Sequence, residues 1–130
     1  MFIIIIIFLK KTKNKKKKKT LLLEEALRRE VFEESGIRVG AVRYHSSQPW
    51  PFPSQLMIGC VGQAINEEIT VDPEELAECK WVAKADVADA LKRTMDPRLP
   101  GMKVPPKYAI ANVLMRAWVD EESLTPLARI

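Results

Sequence analysis

The chain is expected to adopt an α/β fold in which strands are backed by helices. Three observations predict it: apolar residues spaced by four between Leu21 and Ser35, an apolar run from Leu56 to Ile65, and a second helical spacing between Lys107 and Asp120. Recurrence every three to four residues marks one face of a helix, whereas a short apolar run bounded by turn residues marks a strand covered on both sides. With 130 residues there is room for one core and not for two.

The first twenty residues do not match the rest. An isoleucine-rich run, Met1 to Leu9, is followed by eight lysines between Lys10 and Lys19. The apolar run is far shorter than the ~20 residues a membrane-crossing helix needs. Its charges also follow the apolar stretch, the reverse of a secretory signal. Three readings are open: a strand with a solvated linker, a basic tail for anionic lipid or RNA, or a mis-joined start unrelated to the rest. The third is preferred, which sets residues 1–20 apart from a domain spanning 21–130.

Within that domain Leu23, Leu27 and Val31 form the apolar stripe of the first helix, and Gly36 is placed to stop it. Ile37 to Tyr44 alternates and predicts a strand, Gln48 to Pro53 is dense in proline and predicts a rigid loop, and Leu56 to Ile65 predicts a buried strand. Asn66 to Pro73 is turn-rich, Glu74 to Cys79 suits a turn or a short helix, and Lys80 to Ala83 a short strand. Asp86 to Lys92 has helical character, Asp96 to Pro106 is loop, and Lys107 to Asp120 closes the chain with a packed helix.

Composition narrows the function classes. The formal charge of +4 falls to −4 once the lysine run is set aside, so the body lacks the basic face that nucleic-acid binding requires. Cys60 and Cys79 have neither metal-ligand spacing nor a histidine nearby, which argues against zinc or a disulfide and for a reducing compartment. His45 is the only histidine, and a strand residue with a satisfied ring is its preferred reading.

Glu30, Glu33 and Glu34 stand at i, i+3 and i+4, so their carboxylates share one face of the first helix. Like charges at this spacing repel. Either Arg28 and Arg29 neutralise a solvated patch, or a hard cation such as magnesium or manganese sits among the oxygens. Spacing alone leaves both open.

The wording of three segments goes further. Arg29 to Ile37, REVFEESGI, resembles the second half of the Nudix hydrolase signature. Ser47 to Ser54, SQPWPFPS, interleaves three prolines with Trp50 and Phe52, and resembles the string that marks NADH pyrophosphatases within that family. EELAECKW and VPPKYAIANVLMRAW resemble its later segments, and the resemblance covers about three quarters of the chain, from Glu24 to Trp118. It implies a partial Nudix fold, a mixed sheet with flanking helices.

It also implies roles. Glu30, Glu34 and Glu75 would ligate Mg2+ or Mn2+, with Glu33 a further ligand or the base for water, so that Glu33 and Glu34 are the candidate catalytic pair. Arg29 would orient the glutamates through a salt bridge, while Val31 and Phe32 pack the helix. Gln48 would contact a dinucleotide in a pocket shaped by Trp50 and Phe52, and the backbone near Ala111 would approach the adenine side. The implied reaction splits NADH or NAD+ into AMP and the nicotinamide mononucleotide, and would equally remove an NAD cap from RNA. A homodimer is a further expectation.

Two departures qualify this. Counting back from Arg29, the signature's first glutamate falls on Leu21 and its first glycine on Lys15, so the first half is absent. The early strands and the family's zinc module are expected to be missing with it, and a catalytically inactive remnant that at most binds a nucleotide or a homologous partner is the alternative reading. The final residues, Ala128-Arg129-Ile130, resemble a divergent peroxisomal address, so the location expected is peroxisomal or cytoplasmic.

Overall fold

The structure is a computed structural model that describes residues 23–50, 55–93, 98 and 100–120 in full and residues 2–9 as backbone. Strand β1 (Phe2–Leu9) precedes helix α1 (Leu23–Ser35), strands β2 (Val39–Trp50) and β3 (Gln55–Ala64), and helices α2 (Lys84–Lys92) and α3 (Ile110–Asp120). The strands form one sheet in the order β1-β3-β2. The α/β class is borne out, and both pairings among the described residues are antiparallel.

β3 explains the layering. Its apolar run is continuous because both faces are covered, as in any strand between two helical layers. On one face Ile58 and Cys60 join Leu27 of α1 with Ile37 and Val39. On the other, Met57 and Val61 join Ile110 and Leu114 of α3. Gly59 lies on the α3 side, where a Cβ would come within 2.7 Å of Leu114 Cδ1, so its lack of a side chain sets how closely α3 approaches.

α1 ends where its sequence says it should. Gly36 adopts φ +70, a left-handed conformation that costs other residues roughly 1–2 kcal/mol, and its N–H donates to Phe32 O at 2.9 Å. A Cβ there would meet Thr70 Cβ at 3.1 Å, so the same glycine admits the loop that follows β3.

Some expectations are corrected. Gln48 to Trp50 belongs to β2 rather than to a loop, since Pro49 is tolerated on a strand with a free edge. Residues 51–54, with Phe52, lie outside the described residues. Lys80 to Ala83 is not a strand, because no strand of the sheet pairs with it. Phe32 is 49% exposed and does not pack the core; the Arg38 guanidinium lies over its ring at 5.9 Å, while Val31 does pack. The isoleucine run forms a strand paired along its whole length with β3.

Candidate functional site

The acidic face of α1 is built against one loop. Thr70 N–H donates to Ser35 O at 2.9 Å and Asp72 N–H to Glu34 O at 3.0 Å, so two of the orphan carbonyls at the end of α1 are satisfied by the segment after β3. Asp72 then starts a turn: its side chain accepts from Glu74 N–H at 3.0 Å, and its carbonyl accepts from Glu75 and Leu76 N–H at 3.2 and 2.9 Å. Asn66 braces the loop from the other side, accepting from Arg38 N–H at 2.6 Å and donating to Gly36 O at 3.2 Å. Glu75 is thereby held beside the helix although 41 residues of sequence separate it from Glu34.

The result is a gathering of negative charge with an electrostatic signature. Glu34 is half-buried, and its carboxyl is pushed above the ordinary value, first by burial and then by the charges of Glu30, Glu75 and Glu33. These groups also sit at the C-terminal, negative end of α1, whose last turn carries no basic residue. Arg29 is the nearby cation, 3.4 Å from Glu30 and 3.8 Å from Glu33. Both pairs are exposed, so each is worth at most about 1 kcal/mol and neither discharges the cluster.

The donor set suits a hard divalent cation: carboxylate oxygens, a negative helix end, and a half-buried member whose ionised form is disfavoured. Among the described residues, however, no three acidic, histidine or cysteine side chains are close enough together to hold one ion. The four carboxylates interact through their fields without forming a coordination sphere.

A second part of the site lies where β2 meets α3. Gln48 donates through Nε2 to Tyr108 O at 2.8 Å and accepts from Ile110 N–H at 3.0 Å, so its amide caps the first turn of α3. Both ends of the group are committed to backbone. Ala111 follows in the same turn and is half-buried; Trp50 ends β2 half-exposed. Tyr108 is 79% exposed, and Tyr44, also exposed, places its hydroxyl 3.1 Å from Ser47 Oγ. Neither tyrosine stands out in the sequence, where nothing in their spacing separates them from strand and loop residues. Asp72 and Asn66 were also missed, though an Asp-Pro pair does signal a turn.

Gln48→Met removes both bonds, leaving the part-buried Ile110 N–H without its side-chain acceptor and the exposed Tyr108 O to water. A loss of about 0.5–1.5 kcal/mol in urea unfolding is expected. Gln48→Glu keeps the acceptor and should lose less; equal losses would argue against the capping role.

Other features carry no chemistry for this site. Cys60 is buried and burial raises its thiol pKa, and His45 Nδ1 is 2.9 Å from Ser46 Oγ. A cavity of 290 Å³ lies behind α1, lined by Val31, Trp81, Met115 and Trp118 among others. None of the candidate site residues lines it, and its apolar walls do not suit a diphosphate.

The chain matches the NUDIX domain over residues 18–102. It is 45% identical over 96 residues to the NAD-capped RNA hydrolase NUDT12 of Homo sapiens, covering 74% of the chain and 20% of that protein. It is 40% identical over 116 residues to the human mitochondrial NAD(P)H pyrophosphatase NUDT13, covering 80% and 32%, and 49% identical over 64 residues to the NAD-capped RNA hydrolase NudC of Salmonella paratyphi B, covering 49% and 25%. The chain thus spans between a fifth and a third of the length of these relatives.

Proposed function

The chain belongs to the Nudix family, and we propose that it carries the metal-binding and substrate-facing part of an NADH pyrophosphatase, cleaving the diphosphate of NADH or NAD+ into AMP and the nicotinamide mononucleotide. Names of the relatives support an NAD-type substrate, either free or as the cap of an RNA. The observation that carries the reading is Glu34, half-buried within the fields of Glu30, Glu33 and Glu75.

In this reading Glu30, Glu34 and Glu75 would hold Mg2+ or Mn2+. When bound, the ion offsets the charge of the diphosphate and acidifies the attacking water. Glu33 is a further ligand or takes the proton from that water, a role its exposure permits. Arg29 orients Glu30 and Glu33 through the ion pairs already described. Gln48, by capping α3, fixes the backbone around Ala111 next to the end of β2 at Trp50, where the dinucleotide would lie, and Phe52, outside the described residues, keeps its proposed part in shaping that pocket.

Incubating the folded chain with NADH and magnesium should release AMP, detected by chromatography, and chelation should stop it. No AMP from folded protein that still binds magnesium would favour the inactive remnant, a reading motivated by Leu21 and Lys15 at the missing signature positions.

No helix among the described residues is long and apolar enough to cross a membrane. A peroxisomal or cytoplasmic location is proposed on the terminal Ala128-Arg129-Ile130, which lies outside the described residues. A fluorescent fusion that leaves this end free should be punctate and become diffuse without Ile130. A diffuse signal in both forms removes the peroxisomal assignment.

A further inference from the structure

Glu75 is exposed and ends a turn over residues 73–75, yet its charge is felt by Glu34 on α1. What places it is the backbone on either side. The loop that carries the turn is tied down near its start, where Asn66 donates to Gly36 O and accepts from Arg38 N–H. At its far end the Trp81 indole N–H donates to Glu67 O at 2.8 Å, and the ring packs on the core cluster around Leu27. Between these ties, Thr70 and Asp72 donate to the last carbonyls of α1. The freedom that remains lies between Asp72 and Trp81, where Glu75 stands.

Asp72 bonds in both directions from that point. Its N–H donates to Glu34 O at 3.0 Å, and its carbonyl accepts from Glu75 and Leu76 N–H at 3.2 and 2.9 Å. Its side chain adds a third link, Oδ1 accepting from Glu74 N–H at 3.0 Å. One residue thus joins the backbones of two carboxylates of the cluster. Pro73 follows it, with φ fixed by the ring and no N–H to compete. An aspartate that accepts from the N–H two residues on copies a turn and selects it over extended alternatives. That contribution is geometric rather than electrostatic, since the charges that raise Glu34 are those of Glu30, Glu75 and Glu33 and not that of Asp72.

We infer that Asp72 is a positioning residue for divalent-cation binding: through its side-chain bond to the turn it keeps Glu75 within range of Glu34, and with it the site's preference for a small ion. The inference rests on the reading of Glu75 as a ligand. Magnesium takes its oxygens at about 2.0–2.1 Å in a nearly rigid octahedron, whereas calcium takes them at about 2.3–2.6 Å with wide latitude. Loosening Glu75 therefore costs magnesium more than calcium.

Isothermal calorimetry on the full chain, with magnesium and calcium chloride as probes, compares wild type with Asp72→Asn, Asp72→Ser and Asp72→Ala. Asparagine keeps an acceptor for Glu74 N–H, a serine hydroxyl makes the same kind of bond more weakly, and alanine deletes it. Asp72→Ala should bind magnesium about 10-fold more weakly, the scale of groups that orient a metal ligand, with a smaller loss for calcium. Asp72→Asn should stay close to wild type for both ions, and Asp72→Ser should fall between. The bond being deleted is exposed, so the metal-free urea midpoints should agree closely. Unchanged magnesium affinity in the alanine and serine variants overturns the positioning role, as do equal losses for the two ions. An asparagine variant as weak as alanine overturns it as well, because the carboxylate's charge would then act directly. These outcomes leave the metal reading standing, whereas folded wild type that binds no magnesium removes that reading and this inference with it.

Discussion

Glu34→Gln is expected to reduce magnesium-dependent AMP release from NADH by at least ~100-fold, since even groups that only support a metal ligand are worth 10–100-fold. The same substitution should stabilise the metal-free protein at neutral pH, and this opposite sign makes the test specific. Glu34 has a pKa raised above 4.5 in the folded chain, so folding favours its protonated form. Its contribution to stability is fully present below the unfolded value and is lost as pH rises through the raised one. Near pH 7 the wild-type chain has therefore forfeited it, whereas glutamine carries no charge to penalise.

Thermal melts follow the same logic. Without metal the variant should melt at or above wild type at neutral pH, with the difference shrinking as the solution is acidified through the carboxylate range. With magnesium the order should reverse. An ion present at a hundredfold its Kd stabilises a native site by about 2.7 kcal/mol, on the order of 10 °C in a domain of this size. Wild type should show that rise and the variant should not. A variant that loses turnover but keeps the magnesium shift would move Glu34 from metal ligand to base.

How far the sequence carried these conclusions depended on the range of each interaction. α1 and β3 were legible because their patterns are local: Leu23, Leu27 and Val31 fall on one stripe, and the apolar run of β3 is read without knowing what covers it. The grouping of Glu30, Glu33 and Glu34 was legible for the same reason, being a property of helical spacing. Phe32 was misread because it stands one position off the stripe and finds Arg38, six residues on, as its cover.

Longer-range features escaped. β2 runs on to Trp50 because β3 pairs with it, a fact that proline content alone argues against. Glu75 was assigned by resemblance to a family motif, and only the hydrogen bonds of Asp72 to Glu34 and of Thr70 to Ser35 explain physically why it lies beside α1. Gln48 is expected to contact a dinucleotide, and the sequence does not show that its amide also bonds the backbone at the start of α3. In each case the partner lies many residues away, where residue type and periodicity carry no information.

Leu27→Ala should give the largest loss of stability among single changes to the core. Leu27 is fully buried, with 0% exposure, between Ile37, Val39, Ile58 and Cys60, and it is the central residue by which α1 holds to the sheet. Removing such a side chain costs about 2–5 kcal/mol, a large part of the roughly 5–15 kcal/mol that keeps a domain folded. The urea midpoint should fall accordingly, and a loss below ~1 kcal/mol would mean that α1 is not anchored as described. Magnesium separates this effect from that of the carboxylates. Ligand stabilisation depends on the affinity of the native site and not on how stable the fold is, so the shift that magnesium adds to the midpoint should be the same in Leu27→Ala as in wild type. In Glu34→Gln it should vanish although the fold is no weaker. If both substitutions abolish the shift, the acidic cluster is held in place by the packing beneath Leu27, and the site and the core form one cooperative unit.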